Sequence, residues 1–102
     1  MIFARVAGTV VCTQKDDKLV GMKLLLVQPV DLSGGPKGNP IVAVDAVGSG
    51  EGEMVLLVQG SSARQTGKTN NTPVDAVIFA IVDTVEQGGK TVFQKARDHA
   101  GG

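Results

Sequence analysis

The chain has no tryptophan or tyrosine, one cysteine, one histidine and no excess of charge, and each shortage removes a class of chemistry. With Phe at only three positions, it lacks the row of aromatic faces on which single-stranded nucleic acids stack their bases. Ten basic residues balance ten acidic ones, so no long-range field draws the protein to nucleic acid or to an anionic membrane. Near-neutrality tolerates self-association instead. The lone Cys12 cannot staple the chain internally; it falls in an alternating apolar run and reads as a reduced, buried side chain. His99 lies in the terminal stretch with no second His and no neighbouring Cys to complete a zinc site. Ser61 and Ser62 therefore have no positioned base, and a hydrolase triad cannot be assembled. No apolar run approaches the roughly 18 residues of a membrane span. The opening Met1 to Val6 is not a basic segment followed by a long apolar one, so a soluble, cytoplasmic protein is expected.

What the chain does hold is short aliphatic runs between glycine-rich turns. Hydrophobic residues make up 42%, chiefly Val, Leu, Ala and Ile, as a β-rich interior requires. At 102 residues the chain is long enough for one domain with a modest core. Ile2, Ala4, Val6, Val10 and Cys12 are apolar at even positions while Arg5, Thr9 and Thr13 punctuate the other face, which predicts a strand from Ile2 to Thr13. Further strands are predicted at Leu24 to Val27, Ile41 to Val47, Met54 to Gln59 and Val77 to Val85. Gly88-Gly89 is a hairpin signal leading to a short sixth strand at Thr91 to Phe93. Ser33 to Pro40, with its glycines and prolines, reads as a flexible loop, and Ser61 as the cap of a short helical turn. Several strands are apolar on both faces without long helices to cover them, which assigns the cover to neighbouring subunits. The predicted fold is mainly all-β, a small five-stranded barrel of the OB type over residues 1–93 with a short helical turn, a C-terminal hairpin and a polar tail at 94–102. Val6, Leu26, Val44, Leu56 and Ile81 are the expected core positions.

The most informative segment is Gly48-Ser49-Gly50-Glu51-Gly52-Glu53. A phosphate cradle needs amides at a helix N-terminus and usually a Lys, whereas this stretch carries two carboxylates and runs into a strand. Glu51 and Glu53 could hold a cation or work as an acid-base pair, but alternate residues of an extended chain point oppositely, which favours a loop-ordering hydrogen bond. Arg64 could grip a carboxylate bidentately within or between subunits. Asp45 and Asp83 sit in apolar strands, where a carboxylate must be hydrogen-bonded or face outward.

In order and spacing, Gly8-Thr9-Val10-Val11, Leu19 to Val27, Val42 to Glu53, Gly60-Ser61-Ser62-Ala63-Arg64, Pro73-Val74-Asp75-Ala76 and Ile81-Val82-Asp83 resemble the bacterial microcompartment vertex proteins, the family that includes the carboxysome and ethanolamine-utilisation pentamers. The resemblance runs from Met1 to about Phe93. It implies a non-enzymatic β-barrel subunit without cofactor or metal, which forms a homopentamer and caps the five-fold vertices of a shell built otherwise from hexameric or pseudohexameric proteins. Because a ring that brings five backbones together favours small residues, Gly48, Ser49, Gly50 and Glu51 are the candidate axis or pore loop. Glu53, Ser61, Ser62, Arg64, Asp45 and Asp83 are candidate structural or interface residues. No nucleic-acid or membrane partner is expected. Two other readings stay open from the residues alone: a small OB-like module binding a ligand or nucleic acid, and an enzyme of unassigned type.

Overall fold

In the computed structural model, residues 1–15, 17–60 and 75–95 are described. Strands β1 (Ile2–Val10), β2 (Leu24–Pro29), β3 (Ile41–Asp45), β4 (Met54–Gln59) and β5 (Ala76–Ile81) close into a barrel in the order β1-β2-β3-β5-β4. Every pairing is antiparallel except β3 with β5. Closure leaves these strands no free edge to recruit another sheet. β6 (Thr84–Gln87) and β7 (Lys90–Gln94) form a separate hairpin, turned at Gly88 and Gly89 with φ of 60° and 79°. Two consecutive positive φ values give the turn whose twist matches the flanking strands, and glycine adopts them without strain.

Alternation places Ala4 and Val6 of β1, Leu25 and Val27 of β2, Ala43 of β3, Val55 and Leu57 of β4, and Ala76 and Ile78 of β5 in the barrel interior. Val6 and Val44 are buried as expected, but Leu26, Leu56 and Ile81 are only partly so. Leu25 and Leu57 take the interior places expected for Leu26 and Leu56, and Ile81 packs on the rim of the same cluster. A run such as Leu24-Leu25-Leu26-Val27 is apolar at every position and carries no parity, so inward and outward faces cannot be told apart within it.

The outer apolar faces find much of their cover within the chain, where neighbouring subunits had been expected to supply it. Met54 and Val30 lie outside the barrel and are buried beneath Val82 and Phe93 of the hairpin region, with Phe3, Leu56 and Val85 around them. On another side, Val44 and Val77 are covered by Leu19 and Met22, which flank the end of a 3-10 turn at Asp17–Leu19. Two period-two faces are thus satisfied by two small appendages.

Element bounds differ from expectation where the chain leaves the barrel. β1 ends at Val10, before Cys12, which is half-buried rather than buried. β3 stops at Asp45. The expected strand from Val77 to Val85 is broken at Val82 and Asp83: the Val82 amide still donates to Met54 O at 2.9 Å, and the chain then departs as β6. The loop after β2 is tied rather than loose. Asp31 Oδ1 accepts from Ser33 N, Ser33 Oγ and Gly35 N at 2.9, 2.6 and 3.0 Å. An aspartate gathering the amides ahead of it is a turn device that its sequence, Asp31-Leu32-Ser33-Gly34-Gly35, already contains. The Ser61 turn, Ser62, Arg64 and His99 lie outside the described residues.

Candidate functional site

The segment joining β3 to β4 is short, glycine-rich and bonded at almost every residue. Its first support is Asp45, 3% exposed at the end of β3. The Asp45 amide donates to Lys23 O at 2.9 Å, and its carboxylate turns into the loop, where Oδ1 accepts from Val47 N at 3.2 Å and Ser49 Oγ at 3.0 Å. Oδ2 is buried with no hydrogen-bond partner; its counter-ion is Lys23 Nζ at 3.6 Å. The same ammonium donates to Ser49 O at 3.0 Å. Burial pushes the Asp45 carboxyl up, but the bonds from Ser49 and Val47 and the Lys23 charge outweigh it and hold the group below the usual carboxylate range.

Ser49 is wholly buried by this arrangement, so its side chain faces the subunit while Gly48 and Glu51 beside it are exposed. Gly48 and Gly52 have φ of 78° and 89°, which an L side chain rarely adopts. The second support is Glu53. Its Oε1 accepts from Gly50 N at 2.6 Å and its Oε2 pairs with Lys95 Nζ at 2.7 Å, which raises the lysine above its ordinary value. Glu51 and Glu53 therefore do diverge, one to solvent and one inward. Backbone bonds Gly52 N to Val6 O (2.9 Å) and Val6 N to Glu53 O (3.0 Å) then hand the chain to the barrel. Arg5 Nη1 donates to Gly52 O at 2.8 Å while its guanidinium stands 5.9 Å from the centroid of the Phe93 ring.

Of the candidate residues, the structure brings Asp45, Gly48, Ser49, Gly50, Glu51 and Glu53 into one loop. Asp83 is exposed at the foot of the hairpin, where its carbonyl accepts the Lys95 amide at 2.7 Å. Sequence reasoning passed over Lys23, Arg5 and Lys95. Lys23 sits one residue ahead of an apolar strand, where a cation looks like an ordinary solvated end, and only the register that sets Leu24 opposite Val44 reveals its partner.

The chemistry of the loop is that of a braced backbone. Among the described residues no three metal-ligating side chains come together. An open groove of about 800 Å³ lies elsewhere, lined by Met1, Ile2, Phe3, Val30, Leu32 and Ile41 among others. No helix among the described residues is long and apolar enough to cross a membrane.

Comparison with known proteins matches residues 1–83 to the family described as ethanolamine utilisation protein EutN/carboxysome. The shell vertex protein EutN of Salmonella typhimurium is 48% identical over 95 residues, covering 93% of this chain and 96% of the relative. Among solved structures, CcmL of Nostoc sp. PCC 7120 superposes with a TM-score of 0.89 at 46% identity, covering 93% of this chain and all of that one. The pentameric microcompartment shell protein GrpN of Rhodospirillum rubrum superposes with a TM-score of 0.77 at 45% identity, over 85% of this chain and 99% of its own. The chain belongs to the EutN/CcmL family, whose relatives EutN of Salmonella typhimurium and CcmL of Gloeobacter violaceus are shell vertex proteins of a bacterial microcompartment and of a carboxysome.

Proposed function

We propose that this chain is a structural shell subunit that assembles as a homopentamer and closes the five-fold vertices of a bacterial microcompartment in the cytoplasm. The observation that carries the reading is the superposition on CcmL over that protein's whole length and 93% of this chain. A flat lattice of hexagonal shell proteins cannot close without five-fold positions, and such hexagonal proteins are the partners the reading requires. Self-association is supported by the superposition on GrpN, which is itself a pentameric shell protein.

We place Gly48, Ser49, Gly50 and Glu51 nearest the five-fold axis. The loop is narrow, carries exposed Gly48 and Glu51, and is stiffened from within by Asp45 and Glu53. Glu53 is neutralised by Lys95, which removes one of the two carboxylate rings that would otherwise repel at the centre. A nucleic-acid-binding barrel would present stacking rings, but Phe93 is buried and Phe3 and Phe79 are packed into apolar clusters. Native mass spectrometry tests the assembly directly. The expected species is five chains of 10.5 kDa, and a stable monomer at micromolar concentration or a hexamer overturns the vertex role.

A further inference from the structure

The loop between β3 and β4 is braced from opposite sides by two different parts of the chain. Asp45 and Lys23 hold its first half from the adjoining ends of β3 and β2. Its second half leans on the C-terminal hairpin. The Glu53 carboxylate accepts from the Gly50 amide through Oε1 and pairs with Lys95 through Oε2, and Lys95 is the residue that directly follows β7. Lys95 is itself fixed: its amide donates to Asp83 O at 2.7 Å, closing the base of the hairpin. Arg5 makes a parallel link, holding Gly52 O while its guanidinium rests against Phe93 of β7. The Glu53 side chain is 16% exposed, so little solvent competes for the orientation its partners impose.

We propose that the C-terminal hairpin is the positioning element for the glycine-acid loop, with Lys95 acting on Gly50 through the shared Glu53 carboxylate. Lys95 is a positioning residue; it does not touch the loop backbone itself. The functional weight of this coupling rests on the placement of the loop at the five-fold axis proposed above, while the coupling itself is a property of the single subunit. With that placement, five hairpins set the shape of the opening.

Hydrogen exchange followed by mass spectrometry on the assembled protein tests the coupling, read in peptides covering residues 46–53 and, as a control, β5. Lys95→Met and Glu53→Gln are each expected to raise exchange in 46–53 by about three- to fivefold, the weight a partly covered ion pair can place on a local opening equilibrium. The double variant should exchange no faster than Glu53→Gln alone, because Lys95 acts on the loop through that carboxylate. Lys95→Arg should restore the wild-type rate, and β5 should not change. Wild-type exchange in 46–53 of Lys95→Met, equal acceleration in β5, or no rescue by Arg overturns the proposal. Should Lys95→Met fail to fold, Lys95→Gln supplies the same comparison. Native masses recorded on the same samples separate the two readings: coupling in a protein that is not pentameric refutes the vertex role alone.

Discussion

Asp45 is the residue on which the end of β3 depends, and its charge state can be followed in solution. Its carboxyl is held below the usual carboxylate range in the folded protein, so the unfolded chain takes up its proton at higher pH than the folded one does. The stabilisation is therefore fully present above the unfolded value near 3.9 and is lost as pH falls through the lowered folded value. Asp31 is lowered as well, by the Ser33 hydroxyl first and then the Gly35 amide, and contributes in the same direction. Lys95 is raised, which adds stability below its ordinary value and withdraws it only at strongly alkaline pH, outside this window. Urea midpoints measured from about pH 5 to pH 2 should fall for the wild type, and Asp45→Asn should show a shallower fall because one linked carboxyl is gone. An identical slope in both proteins would assign the acid sensitivity elsewhere.

At the scale of elements, the two faces of each strand have different owners, and a substitution pair separates them. Leu25 and Leu57 fill the interior, and Leu25→Ala or Leu57→Ala is expected to cost about 2–5 kcal/mol through lost transfer energy and the cavity left behind. Leu26→Ala, on a half-buried outer position, should cost clearly less in urea melts at one fixed chain concentration. If Leu26→Ala proves as costly as Leu25→Ala, the inward face is misassigned; if its cost grows on dilution, Leu26 is a contact between subunits. The strands themselves were legible because Ile2 to Val10 alternates and Met54 to Gln59 is bounded by turn residues. The hairpin turn was legible because Gly88-Gly89 admits the positive φ it needs. Parity in Leu24 to Val27 was not legible, since every residue there is apolar, and register shifts between Val6 and Gly8 and opposite Leu56 and Leu57 move the alternation in β1 and β5 as well. The break at Val82 was hidden for a similar reason: the residues from Val77 to Val82 are apolar throughout, and only the packing of Val82 with Met54 and Phe93 shows where the barrel ends. The loop's composition marked it out; Glu51 and Glu53 do diverge, but across a turn at Gly52 with φ of 89° instead of along an extended strand. Its cationic braces come from positions 23 and 95, too distant in sequence for local reading to pair.

For the whole molecule, the closed barrel and its two small covers make a subunit that hides the edges of its barrel strands and leaves some apolar side chains exposed, which leaves side-chain packing as the way its barrels can meet. In such a ring the residues nearest the axis are the ones whose five copies can touch, and chemistry can ask which they are. In a Cys12→Ala background, which removes the natural thiol, Glu51→Cys would place five equivalent thiols on the loop. Disulfides need Cβ atoms about 3.5–4.5 Å apart, so mild oxidation and a short bis-maleimide together cover a tight and a wider opening. Because each cross-link uses two thiols of an odd-numbered ring, denaturing gels should show dimers and leftover monomer but no trimers, and free thiol should fall from five towards one per pentamer. The reaction is run at high dilution of intact pentamers so that links between rings do not form. If Glu51→Cys pentamers stay fully monomeric on the gel under both reagents, residues 48–53 lie away from the axis. The native mass would still decide the vertex role, and the opening would have to be sought on another loop.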